Sequence, residues 1–182
     1  MTATRYDNTS VALHWLIGIA LLAETAFGYL VDDIAPRGTP ARGAFINLHK
    51  SLGIVLGLLI ALRLVWRLLH HAPELPPPTP SWERKAARLG QAAMYACMVA
   101  LPLSGYVASN FSRYGVRLFG VALPPWGADL PRVYAVFNTV HVVTGYLLCI
   151  LVAAHVAAAL KHALVDRDGV MRSMWPTKSI SR

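Results

Sequence analysis

Apolar positions along this chain gather into four long, nearly unbroken runs rather than into the short alternating stretches of half-buried strands. They cover roughly Val11–Val31, Ile46–Leu69, Ala86–Ser109 and Val133–Leu164. A helix of about 20 apolar residues crosses a hydrocarbon core of about 30 Å. Each run therefore predicts a membrane span, and together they predict an all-α membrane protein, a single four-helix bundle over residues 1–182. The last run exceeds what the hydrocarbon needs, so its end, with Lys161 and His162, is expected in headgroups or water. Pro102 predicts a kink in the third span, because proline lacks a backbone donor and clashes one turn back. The first run outlasts the roughly 7–15 residues of a signal-peptide core and no A-x-A-like site follows it, so it is read as a retained helix.

Residues 32–45 carry Asp32, Asp33, Pro36, Gly38, Pro40 and Gly43 and predict a loop. Residues 73–81 hold five prolines and predict a stiff extended linker. Residues 110–132 read as a longer loop with Gly, Pro and aromatic residues.

Composition agrees with the pattern. Hydrophobic residues make up 55% and charged residues 14%, where soluble domains average about 25% charged. Disorder is excluded on the same ground. The net charge of +8 would suggest nucleic acid in a soluble protein, but the 17 Lys and Arg fall almost entirely between the apolar runs. Eleven of them lie on the side of the N-terminus, the 63–88 region and the tail. The other six, Arg37, Arg42, Lys50, Arg113, Arg117 and Arg132, lie opposite. Basic residues favour the cytoplasm, so both termini are expected there. Cys97 and Cys149 sit inside apolar runs with no CxxC or CxxCH, which argues against a disulfide framework, a zinc knuckle and covalently attached haem, and reads as two buried small residues.

Histidine supplies the chemistry. His14, His49, His141 and His155 all lie within spans, where ionisable groups are rare. His141 and His155 are 14 residues apart, so they fall within about 40° of one face and about 21 Å apart along the axis. One ion cannot bridge them; two stacked sites can use them. With alternating helix directions, His49 and His141 share the outer depth and His14 and His155 the inner depth. Gly18, Gly53 and Gly145 stand four residues after His14, His49 and His141, and Ala159 after His155. Small residues one turn away leave room for something flat. Zinc needs no such room and usually takes four ligands, whereas a bis-histidine haem needs two axial imidazoles and clearance for the macrocycle. Anionic propionates would be met by Arg63 at the inner depth and by Lys50 or Arg113 at the outer one; interfacial snorkelling is the bland alternative for each.

These residues resemble the bacterial cytochrome b561 family of di-haem inner-membrane cytochromes. The pieces that carry the resemblance are SVALHWLIG (Ser10–Gly18), INLHKSLGIVLGLLIALRLVWR (Ile46–Arg67), LPLSGY (Leu101–Tyr106) and HVVTGY…AAHVAAALKH (His141–His162). The resemblance implies two b-type haems between helices 1, 2 and 4, with His14 and His155 on the inner iron and His49 and His141 on the outer iron. It implies quinone-linked electron transfer in the bacterial inner membrane. One member type oxidises superoxide on the periplasmic face and passes electrons through the haems to ubiquinone. Others serve a hydrogenase or another dehydrogenase as partner, and that reading stays open, as does a histidine-lined metal transporter.

His162 lies about 20° off the His155 face and is a candidate to bond a quinone carbonyl or supply its proton; Ser10, at similar depth, is another. His70 and His71 are expected at the interface, and Trp15, Trp66 and Trp126 in an aromatic belt. Glu24, a carboxylate costing about 2.5–3.5 kcal/mol at a span centre if charged, is expected protonated or paired with a loop arginine. Arg113 and Arg117, within a net-positive outer face, are candidates for steering a small anion such as superoxide toward the outer haem.

Overall fold

The computed structural model describes residues 5–70, 73 and 79–176. His71, most of the proline-rich segment, Lys178 and Arg182 lie outside the described residues. Four long helices form the chain: α1 (Asn8–Ile34), α2 (Ala41–Leu69), α3 (Ser81–Asn110) and α4 (Pro131–Lys161). All four are long and apolar enough to cross a membrane. A short hairpin, β1 (Arg117–Leu118) with β2 (Val121–Ala122), precedes α4, and a π-helical turn (His162–Asp166) and α5 (Val170–Ser173) follow it.

The apolar runs sit inside these helices, but the helices outlast them. α1 continues through Asp32 and Asp33 to Ile34, and α2 already begins at Ala41, so the connection expected over 32–45 shrinks to 35–40. Hydrocarbon thickness limits the apolar run, not the hydrogen-bonded spiral, which continues into headgroups with polar residues. α1 starts on an Asp7 cap that accepts from the Ser10 N–H. α4 starts with Pro131 in its first turn, where a missing N–H costs nothing. α3 runs through Pro102 without interruption.

α3 packs along α4, and α1 packs on α2, which in turn meets α3. The backbone of α4 hardly approaches α1 or α2. Where α2 crosses α3, a Cβ on Gly57 would stand 3.0 Å from the Pro102 ring. A small core of Ile17, Leu21, Leu56, Ile60, Cys97, Leu101 and Leu148 lies at the middle. Most remaining apolar side chains face outward; only 11% of the most apolar stretch of α2, and of α4, is buried. A soluble bundle would bury that face, so this one needs lipid around it. Cys149 belongs to the outward set: it is exposed, against the expectation of burial, while Cys97 is buried. In lipid an apolar thiol has no need of the protein interior.

The loop before α4 is folded. Phe119 (φ 47°) and Gly120 (φ 94°) form the two-residue turn of the hairpin, the positive-φ pair a tight hairpin requires. Fully buried Ser51 fastens it to α2, donating to the Arg117 carbonyl (3.1 Å) and accepting from the Phe119 N–H (2.9 Å). At the opposite end the tail folds back on α1: the Trp15 indole donates to the Met174 carbonyl (2.8 Å) and Arg5 to that of Trp175 (2.8 Å).

Candidate functional site

The histidines of α1, α2 and α4 meet in two pairs. At the hairpin end, the His49 and His141 rings have centroids 6.0 Å apart and planes at 83°. At the end bearing the termini, His14 and His155 are 6.2 Å apart at 71°. Metal–imidazole bonds of about 2.0 Å, plus about 1 Å from each nitrogen to its ring centre, put two imidazoles sharing one metal on the order of 6 Å apart. Both pairs have that spacing, and both bridge the gap that α4 leaves against α1 and α2.

Each hairpin-end histidine presents Nδ1 to an oxygen of a neighbouring helix. His141 Nδ1 lies 2.9 Å from the Leu101 carbonyl of α3. A Cβ on Gly105, one turn further, would stand 2.9 Å from the same nitrogen. His49 Nδ1 lies 2.7 Å from Glu24 Oε1 of α1. A Cβ on Gly28, again one turn further, would stand 2.9 Å from His49 Cε1. A carbonyl or carboxylate can only accept, so it draws the imidazole proton to Nδ1 and leaves the Nε2 lone pair for a metal. The Glu24–His49 approach is close but off-line for a hydrogen bond, and neither of these two atoms has another partner among the described residues. Glu24 therefore pairs with a span histidine and not with a loop arginine, as the sequence had suggested: Arg42 takes Asp32 instead.

At the other end His14 Nδ1 is 3.4 Å from the Arg63 guanidinium, which also reaches the Ser10 carbonyl (3.4 Å). Arg63 thus stands beside the His14–His155 pair, with no carboxylate on it among the described residues. Lys50 donates to the Gly115 carbonyl (2.8 Å), tying α2 to the loop. Of the glycines expected to clear space, Gly18 and Gly53 face nothing within 4 Å, but Gly145 does not: the Tyr29 hydroxyl would stand 2.9 Å from a Cβ there. Periodicity places Gly145 on the histidine face, and only packing brings an α1 tyrosine over it. Arg113, stacked on Tyr114, and Arg117 are exposed at the hairpin end.

His162 sits where α4 widens into the π turn, a distortion frequent at functional sites. Its Nδ1 is 2.6 Å from Asp168 and 3.2 Å from Asp166. Burial works against the Asp168 charge, but the Val170 N–H and His162 outweigh it and hold the carboxyl below its ordinary range. Lys161 bridges Asp166 (2.7 Å) and Glu83 (3.1 Å), so an ammonium already neutralises this acidic cluster. His162 lines a cleft of about 520 Å³ with Arg167, Gly169, Met171, Arg172 and Trp175. Trp175 packs edge-on against Trp15 (5.8 Å), and Trp15 against His14 (5.5 Å), joining the cleft to the histidine pair. Ser10 donates its hydroxyl to Asp7 (2.6 Å). Trp66 stacks on His70 at 3.8 Å, and Trp126 packs on Phe111.

A family model described as prokaryotic cytochrome b561 matches residues 5–177. The chain belongs to that family. Two relatives in Escherichia coli (strain K12) match along almost their whole lengths. Cytochrome b561 homolog 1 is 27% identical over 96% of this chain and 98% of its own, and cytochrome b561 homolog 2 is 29% identical over 95% and 92%. A probable superoxide oxidase CybB of Yersinia pestis is 23% identical over 96% and 97%. Membership makes this chain a membrane cytochrome that binds haem b and transfers electrons. Both histidine pairs fit that group in their spacing, and the His49–His141 pair also in the acceptors facing Nδ1 and the glycines where its rings stand.

Proposed function

We propose that this cytochrome oxidises superoxide at the periplasmic face and reduces ubiquinone at the cytoplasmic side, with two haem b groups between them. The observation that carries this reading is the pair of imidazole pairs, one near each end of the bundle. His49 and His141 are assigned to the outer haem, under the hairpin, and His14 and His155 to the inner one. Both termini then face the cytoplasm, as the basic residues expect. Haem, when bound, supplies reversible one-electron transfer.

The balance is two superoxide anions, one quinone and two protons giving two dioxygen molecules and one quinol. Superoxide needs no shaped pocket, only an approach to the outer site, and exposed Arg113 and Arg117 supply a field that favours an anion there. Quinone reduction needs a proton source beside the inner site. His162, backed by Asp168, lines a cleft linked through Trp175 and Trp15 to His14 and serves that role. Ser10, whose hydroxyl proton goes to Asp7, is assigned to the same headgroup as an acceptor for the quinol hydroxyl. Arg63 is assigned to an inner propionate and Lys50 to an outer one. The name of the Yersinia relative favours superoxide as donor.

The test is superoxide-driven reduction of ubiquinone by purified protein in vesicles, followed by the haem bands. Reduction that stops with superoxide dismutase supports the reading. Haem bands that superoxide leaves unreduced, but that a dehydrogenase or hydrogenase partner reduces, overturn it in favour of a quinone-linked carrier.

A further inference from the structure

Glu24 is a buried carboxylate in the middle of an apolar groove between α1 and α2, lined by Ala20, Ala23, Phe27, Leu48 and Leu52. Among the described residues its one ionic partner is His49, at 2.7 Å. A carboxylate at this depth is costly, and no lysine or arginine of the described chain offsets the cost. We infer that Glu24 is a positioning residue for the outer haem, holding His49 through Nδ1 and setting that site at a lower reduction potential than the inner one. The inference rests on the haem assignment above.

Three observations carry it. First, Glu24 and Gly28 act together on one ring: the carboxylate faces Nδ1, and the glycine clears the space beside Cε1. Leu101 and Gly105 do the same for His141 with a neutral carbonyl. Second, a carboxylate on the far nitrogen makes an imidazole a more basic ligand, which favours the oxidised metal. Third, the inner pair lacks such a group: among the described residues no carboxylate faces His14 or His155, and the side chain at His14 Nδ1 is Arg63, at 3.4 Å. A carboxylate at the outer pair and none at the inner one make electron transfer downhill from the superoxide side toward the His162 cleft.

The test is a potentiometric titration of the purified holoprotein, following the haem bands, in Glu24→Gln and Glu24→Leu. Glutamine keeps the shape and an oxygen acceptor but removes the charge. The component missing from His49→Ala is the outer one. In E24Q that component should move upward by about 59 mV, a tenfold change in its oxidised-to-reduced ratio, while the other stays within a third of that shift. E24L, which also removes the acceptor, should move the same component in the same direction or release its haem. Both haems retained with unmoved potentials in both variants would overturn the inference, as would a shift confined to the inner component. Unmoved potentials with both haems retained leave the haem assignment standing; that assignment fails separately, if the wild-type protein lacks haem or if His49→Ala and His14→Ala lose the same component.

Discussion

Gly105→Ala tests the socket of His141 with the smallest change available, one methyl group. The added Cβ would lie 2.9 Å from His141 Nδ1 and 3.0 Å from Cε1, where carbon contacts settle at about 3.5–4.0 Å. The ring must therefore retreat by about 0.5–1 Å on that contact distance. Such a retreat strains the hydrogen bond to the Leu101 carbonyl, now at 2.9 Å, because methyl and acceptor meet the same nitrogen. Overpacking of this kind costs about 1–3 kcal/mol, and losing that hydrogen bond about 0.5–1.5 kcal/mol. The sum, about 1.5–4.5 kcal/mol, predicts outer-haem affinity reduced by about tenfold to 1,000-fold or more. The assay is haem per protein by pyridine haemochrome, with the visible spectrum of the detergent-purified variant. The expected result is a fall from two haems toward one, with the remaining haem unaltered. Gly90→Ala, where a Cβ meets nothing within 4 Å, is the control for handling. A Gly105→Ala protein with two haems and an unchanged spectrum would refute the socket and, with it, the placement of a ligand at His141.

His49→Ala should remove the haem that Gly105→Ala weakens, and His14→Ala the other, as judged by which spectral component survives; one component lost in both variants would mean the pairing by depth is wrong. Arg113→Glu with Arg117→Glu should slow superoxide-driven haem reduction several-fold at low salt and little at high salt, since exposed charges act over a Debye length of about 8 Å at physiological ionic strength; stopped-flow rates indifferent to both changes would remove the steering role. Asp168 holds a lowered pKa in the folded tail. Its contribution is therefore full above the ordinary carboxylate range and lost as pH falls through the lowered value. Protease protection of the tail should decline at acid pH in the wild type, and Asp168→Asn should be weakly protected already at neutral pH.

The four spans were legible because hydrocarbon thickness and backbone hydrogen bonding leave a membrane-crossing chain one local solution, repeated four times. The levels of the histidines were legible for the same reason: with helix direction alternating and rise per residue constant, depth follows from counting. That arithmetic puts His49 level with His141 and His14 level with His155, and in the structure these rings lie side by side. Depth is one coordinate, however, and the surroundings of each ring depend on the other two. Rotation of α1 about its axis brings Glu24 and Gly28 onto His49, and rotation of α3 brings Leu101 and Gly105 onto His141. Neither could be counted from one helix, because each socket joins residues on different helices. The same limit applies to Tyr29 over Gly145. It applies also to the tail, where Trp175 reaches Trp15 across 160 positions of chain. Phe119–Gly120 lacks the Asn-Gly or Asp-Gly signature of a tight turn, and the hairpin is set by the Ser51 hydroxyl beneath it. Local periodicity and solvent thus determine the helices and their levels, while the faces those helices turn to one another are a property of the packed bundle.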